Sequence, residues 1–123
     1  MRLDSYKYIY LIGIGGIGMS ALARYFNAKG QIVFGYDRIR SELCVELENE
    51  KIQIRYKDEV SSIPDQIKDT SNKDILVIYT PAIPSNNYIF SFFNNKGFKI
   101  FKRAEILGFI SKRSFTIAVA GTH

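Results

Sequence analysis

The feature that most constrains this chain is an apolar run, residues 8–12, that stops on a glycine and opens the stretch Gly13-Ile14-Gly15-Gly16-Ile17-Gly18. A continuous run of Tyr, Ile and Leu bounded by glycine suits a buried parallel strand; a half-solvated strand would alternate. Residues 19–28 then show helical spacing. Leu22, Tyr25 and Phe26 fall on the inner stripe, and Gly30 stands where a helix stops. Strand, glycine turn and helix therefore come in direct succession.

In that setting Gly-x-Gly-x-x-Gly has a mechanical reading. The first glycine permits a tight turn, the second lets a phosphate approach the backbone, and the third lets helix and strand pack closely. A side chain at Gly15 would then obstruct a diphosphate, and one at Gly18 would push the helix off the strand. The helix N-terminus offers unpaired amides and a partial positive charge. Asp37 lies about 20 residues further on, at the end of a second strand over residues 31–37, where a carboxylate can accept from ribose hydroxyls. A purely structural strand–turn–helix is the other reading. These residues do not name a nucleotide: the plain reading is NAD, and Arg38 with Arg40 points toward NADP.

The rest of the chain keeps the alternation. Ser41 can cap a helix running to about residue 49, with Leu43, Val45 and Leu47 as apolar contacts. Residues 51–55 read as a short strand. Residues 57–73 are polar, with Ile63 and Ile67 as anchors to the body. Residues 74–79 are the clearest central strand, closed by Thr80-Pro81 and Pro84. A helix is expected over residues 86–95 with Gly97 as its stop, a strand over 99–101, a helix over 103–111 and a last buried strand over 115–120. Strands alternating with helices predict an α/β fold: a single-domain, Rossmann-like, doubly wound parallel sheet with right-handed crossovers.

Composition excludes several chemistries. Of 123 residues only one is Cys and one is His, which leaves no internal disulfide, no multi-cysteine zinc site and no His-based triad or metal cluster. No metal site is expected. Cys44 lies on an apolar helix face without a histidine to activate it and reads as core. The formal charge is +5, which suits either an acidic partner or a mildly basic solvated surface. The basic residues form no long run, so no nucleic-acid partner is expected. No apolar run approaches the roughly 20 residues of a membrane span, and the first residues do not read as a secretory signal. The expected compartment is the cytoplasm.

Thr80-Pro81-Ala82-Ile83-Pro84 falls at the C-terminal end of the central strand, the edge where such sheets bind ligands. It is either a rigid proline-bracketed turn or a ligand-facing one, with Thr80 and the Ala82 and Ile83 amides toward the ligand. Arg103 is placed to meet a phosphate or carboxylate, or to pair with Glu105 or another acid. Tyr56 and Phe34 are aromatic candidates for base stacking or for the core.

Five stretches together carry a resemblance: residues 13–23, Gly35-Tyr36-Asp37, Thr80-Pro81-Ala82-Ile83-Pro84, Lys102-Arg103-Ala104-Glu105-Ile106-Leu107 and Ala118-Val119-Ala120-Gly121-Thr122-His123. In this order they resemble the N-terminal domain of the Mur ligases of peptidoglycan synthesis. Within that family they are most similar to the members that add L-alanine to UDP-N-acetylmuramate. Members that join UDP-N-acetylmuramate to a preformed peptide share the Gly121-Thr122-His123 end, but their glycine loop usually departs from this one.

The resemblance implies a UDP-sugar-binding domain over residues 1–123, cut at the start of the ATP-binding loop that Gly121, Thr122 and His123 open. It implies contacts to UDP-N-acetylmuramate from Gly13, Gly15, Gly16, Ile17, Gly18, Met19, Ser20, Asp37, Arg38, Thr80, Pro81, Ala82, Ile83 and Arg103. ATP and Mg2+ would serve the whole enzyme, with central and C-terminal domains as partners. No cofactor, catalytic residue or ligase activity is expected of this stretch alone. The implied roles are cell-wall biogenesis, cell shape and cell division. Many family members carry a His near the end of the third strand where this chain has Arg55-Tyr56, and Tyr56 is the residue expected to stack in its place.

Overall fold

The computed structural model describes residues 2–120, with side chains described through Lys112. Five parallel strands, β1 (Tyr8–Ile12), β2 (Ile32–Tyr36), β3 (Gln53–Arg55), β4 (Ile75–Tyr79) and β5 (Ile100–Lys102), form one sheet in the order β3-β2-β1-β4-β5. Between and after them come α1 (Ile17–Ala28), α2 (Glu42–Asn49), α3 (Asp65–Lys68), α4 (Tyr88–Asn95) and α5 (Arg103–Ala120). The expected α/β, doubly wound architecture is the observed one.

The period of two along each strand sorts the core into two layers. Ile9, Leu11, Val33, Ile54, Leu76 and Ile78 face one side and meet Leu22 and Phe26 of α1, Leu47 of α2 and Ile106 of α5. Tyr10, Ile12, Phe34, Tyr36, Ile75 and Val77 face the other side and meet Ile67 of α3 with Ile89 and Phe93 of α4. Both faces are covered, so the strands read as unbroken apolar runs. Ile63 and Ile67 are buried, as their anchoring role requires. Tyr88, in the first turn of α4, is exposed.

Three helices stop in one way. After α1 the Gly30 amide donates to Asn27 O (3.0 Å) and the Gln31 amide to Phe26 O (3.2 Å). Gly97 and Phe98 repeat this after α4, and Lys51 with Ile52 after α2. The pattern needs a left-handed residue at its corner. Gly30 (φ 85°) and Gly97 (φ 78°) adopt it freely, and Lys51 (φ 71°) adopts it with a side chain.

One element differs in kind. Residues 115–120 were expected as a strand from their β-branched and apolar content, whereas α5 runs on to Ala120. No proline or glycine stands between Gly108 and Gly121. A helix already nucleated at Arg103 therefore extends at one bond per residue, without a new nucleation cost. Gly121, Thr122 and His123 lie outside the described residues.

The order β3-β2-β1-β4-β5 reverses direction between β1 and β4, which makes their C-terminal ends the switch point of the sheet. Ile12 is level with Tyr36 on one side and Tyr79 on the other. The residues that follow, Gly13, Asp37 and Thr80, therefore emerge together along one edge.

Candidate functional site

The glycine loop is built by backbone groups first. The Gly13 and Ile14 amides both donate to Tyr36 O, at 2.8 and 3.0 Å, which turns the chain across the end of β2. Gly13 has φ 93°, and a Cβ there would run into the Thr80 methyl. The Gly15 amide donates to Asp37 Oδ2 at 2.8 Å, while Asp37 Oδ1 accepts from the Ile39 amide at 3.0 Å. One carboxylate thus ties the loop after β1 to the turn after β2.

The helix that follows is left open. No side chain caps α1, whose N-cap is Gly16. The other two long α/β crossover helices are capped by side chains. Ser41 Oγ accepts from the Cys44 amide at the start of α2 (3.2 Å). At the start of α4, Asn87 Oδ1 accepts from the Phe90 amide (2.9 Å), and Asp58 accepts from the Tyr88 and Ile89 amides (3.2 and 3.1 Å). The first amides of any helix have no intrahelical acceptor. At α1 those of Ile17, Gly18 and Met19 have no side-chain cap among the described residues, at the positive end of the helix dipole.

A cleft of about 520 Å³ lies along this edge, within the roughly 300–1,000 Å³ usual for small-molecule sites. The glycine loop contributes Gly13 and Gly16, and the end of β2 contributes Tyr36, Asp37, Arg38 and Ile39. Tyr56 and Asp58 come from beyond β3, and Thr80, Ala82, Ile83, Pro84 and Asn87 from beyond β4. Tyr56 is half-buried against the α1–α2 side of the core. Burial is the main cause that holds the Tyr36 phenol above its ordinary pKa, followed by the Asp58 and Asp37 carboxylates. The Tyr56 phenol is also raised, again chiefly by burial. Among the described residues, no three His, Cys, Asp or Glu side chains converge to hold a metal ion.

The structure gathers seven of the anticipated contact residues around the cleft: Gly13, Gly16, Asp37, Arg38, Thr80, Ala82 and Ile83. Gly15, Ile17, Gly18, Met19, Ser20, Pro81 and Arg103 are not part of its lining. Gly15 lies under the loop, where a Cβ would stand 2.8 Å from both Asp37 Oδ2 and Cys44 Sγ. Its smallness therefore serves the loop's own packing. Gly16, whose nearest neighbour would be 3.7 Å from a Cβ, lines the cleft with room for a side chain. Gly18 does not touch a strand: a Cβ there would meet the Arg103 guanidinium. The close strand contact belongs to Gly35, which lies against Ile14. Ile17 is 87% exposed, whereas Met19 is buried and Ser20 turns its hydroxyl back to Ile17 O (2.8 Å). Pro81 is an exposed turn residue.

Two further details differ from expectation. The Ile83 amide donates to Thr80 O at 3.0 Å and so closes the turn instead of facing outward. Glu105 accepts from the Lys102 amide at 2.9 Å, which leaves Arg103 to lie across Gly18. Tyr36, Ile39, Asp58 and Asn87 line the cleft without having been anticipated. Asn87 carried a readable signal, a capping residue directly before an apolar helical run.

Comparison with known proteins follows the same edge. Residues 8–115 match the family described as Mur ligase family, catalytic domain. UDP-N-acetylmuramate–L-alanine ligase of Christiangramia forsetii is 48% identical over 98% of this chain and 26% of that protein. The ligase of the same name from Cytophaga hutchinsonii is 45% identical over 100% of this chain and 26% of that protein. The chain thus spans about a quarter of the length of the curated relatives it matches. The crystal structure of UDP-N-acetylmuramate-alanine ligase from Thermotoga maritima superposes with a TM-score of 0.75 at 28% identity, over 86% of this chain and 23% of that one. A Neisseria meningitides ligase structure superposes at 0.66 and 21% identity, over 80% and 29%, and shares the fold. With the family pattern running from β1 into α5 across the glycine loop and the cleft it borders, the chain belongs to the Mur ligase family.

Proposed function

We propose that this chain is the sugar-nucleotide-holding part of an ATP-dependent ligase that joins L-alanine to UDP-N-acetylmuramate in peptidoglycan synthesis. One observation carries the reading. Among the described residues no side chain caps α1, unlike α2 and α4, and it starts directly beyond a glycine loop at the switch point of the sheet. A diphosphate supplies the acceptors those amides need. The Arg103 guanidinium across Gly18 adds a cation beside the same first turn. Arg38 and the Thr80–Ile83 turn border the space beyond, which is where the nucleoside and sugar would extend.

In this reading residues 1–123 form the substrate-binding unit, and Gly121, Thr122 and His123 open a phosphate loop for ATP and Mg2+. Catalysis and the remaining domains belong to the whole enzyme, which works in the cytoplasm. No helix among the described residues is long and apolar enough to cross a membrane.

Calorimetric titration with UDP-N-acetylmuramate, UDP, NAD and NADP tests the proposal. UDP-N-acetylmuramate should bind most tightly, with UDP retaining a measurable share. Tighter binding of NAD or NADP than of UDP would overturn it.

A further inference from the structure

Helix α4 is apolar on more sides than the sheet covers. Ile89 and Phe93 are fully buried, and Phe90 packs edge-on to Tyr79 with ring centroids 5.0 Å apart. Tyr88 and Phe92 instead line a groove of about 350 Å³, separate from the cleft, where Tyr88 is 66% exposed. A helix that is apolar all round is ordinarily a buried one, and a contiguous apolar patch left at the surface marks an interaction site.

The groove follows one stripe of the helix. Its α4 residues are Tyr88, Ser91, Phe92, Asn95 and Lys96, and exposed Val60 completes it. The spacing is i, i+3, i+4, i+7 and i+8, the seam along which one helix packs on another.

The two ends of this seam differ in charge. Asp58 accepts the Tyr88 amide at 3.2 Å, and Glu59 joins Asp58 to Val60, which places acid at the Tyr88 end. Asp58 is already engaged with the Tyr88 and Ile89 amides, whereas Glu59 is exposed and enters no salt bridge among the described residues. At the other end the Lys96 ammonium lies 5.8 Å from the Phe92 ring centre, and it too has no salt bridge among the described residues. The eight-residue rise from Tyr88 to Lys96 is about 12 Å, so the two charges of one copy do not meet.

A second copy supplies both missing partners. A two-fold axis passing by Phe92 sets two α4 helices antiparallel, and a two-fold contact makes every pairing twice. Phe92 then meets its own counterpart, Tyr88 meets Lys96 of the second copy, and Glu59 stands beside that same Lys96. A parallel arrangement would set Lys96 against Lys96 and Glu59 against Glu59.

We infer that this outer face of α4 is a self-association surface, on which a second copy of the chain docks with its α4 antiparallel. One short helix covers less area than a permanent dimer needs, so the association is transient. It is independent of what the cleft binds.

Sedimentation equilibrium over about two decades of concentration, up to about 1 mM, tests this and should show a reversible monomer–dimer equilibrium. Lys96→Glu and Glu59→Lys should each weaken dimerisation about tenfold or more, because each turns two attractive pairs into two repulsive ones. An equal mixture of the two variants should associate about as tightly as the parent, and so should the chain carrying both substitutions. Tyr88→Ser should weaken it as well. Each substitution falls on an exposed side chain, so melting curves should stay within a few degrees of the parent. A parent that remains monomeric up to about 1 mM, single charge variants that dimerise as the parent does, or a mixture that fails to recover association would overturn the assignment.

Discussion

Asp37 accepts the Gly15 amide at 2.8 Å through one carboxylate oxygen and the Ile39 amide at 3.0 Å through the other. A carboxylate at the end of β2 is ordinarily read as a ribose contact. Here it is first a clamp between two loops, and the consequence is measurable without ligand. Asp37→Ala should lower unfolding stability by about 1.5–3 kcal/mol, the range for hydrogen bonds to a charged group. Denaturant unfolding of the ligand-free protein checks this. An unchanged midpoint would mean that the clamp contributes nothing and only ligand contact remains.

The loop glycines should separate by role in a valine series. Gly15→Val forces a side chain against Asp37 and Cys44 and should lose about 2 kcal/mol or more of stability. Gly16 has φ −67° and ψ 152°, a conformation that any residue adopts, and nothing within 3.7 Å of a Cβ. Gly16→Val should melt like the parent yet lose most UDP binding, because the side chain enters the cleft. Gly18→Val meets the flexible end of Arg103 and should be the milder packing defect. Melting curves with and without UDP distinguish the three; a stable Gly15→Val beside an unfolded Gly16→Val would reverse the assignment.

The comparison of glycines shows where sequence reasoning stops. The strand–turn–helix around residues 8–28, the stops at Gly30 and Gly97 and the turn after β4 depend on neighbours a few residues away, and they read directly from local pattern. Which glycine faces the cleft depends on Asp37, Cys44, Ile14 and Arg103, which are distant in the chain, and spacing alone assigned those roles wrongly. Asp58 caps a helix that begins 30 residues later, so no local signal exposes it. Residues 115–120 have the composition of a buried strand, but composition does not reveal whether a helix will run through them.

Lys51 occupies the position that Gly30 and Gly97 hold after the other two helices, with the same pair of hydrogen bonds around it. Holding a side chain in the left-handed region costs about 1–2 kcal/mol, part of which is offset because glycine loses more freedom on folding. Lys51→Gly should therefore stabilise the protein by about 0.5–1 kcal/mol, with Lys51→Ala showing no such gain. Urea unfolding of both variants decides it. Lower stability for the glycine variant would show that the Lys51 side chain contributes something the hydrogen bonds do not reveal.

Tyr10 sits in the middle of the central strand with no exposed surface, its ring 4.9 Å from that of Phe93 and its hydroxyl without a hydrogen-bond partner among the described residues. A buried hydroxyl without a partner carries a desolvation penalty of about 1–3 kcal/mol. Tyr10→Phe removes the hydroxyl and keeps the ring, so it should raise stability by about 1 kcal/mol near neutral pH. The same burial pushes the Tyr10 phenol well above its ordinary value near 10, with Arg55 opposing weakly. A folded-state value above the unfolded one means the associated stability is fully present below pH 10. It is lost as the pH climbs past that value, because the unfolded chain ionises first. The parent should thus lose stability as the pH rises above about 10, and Tyr10→Phe should lose less over the same interval. Urea unfolding at several pH values separates the two effects: a neutral-pH gain with identical alkaline slopes would show that the phenol is not raised in the folded state, and a loss at neutral pH would mean the hydroxyl has a partner that stabilises it.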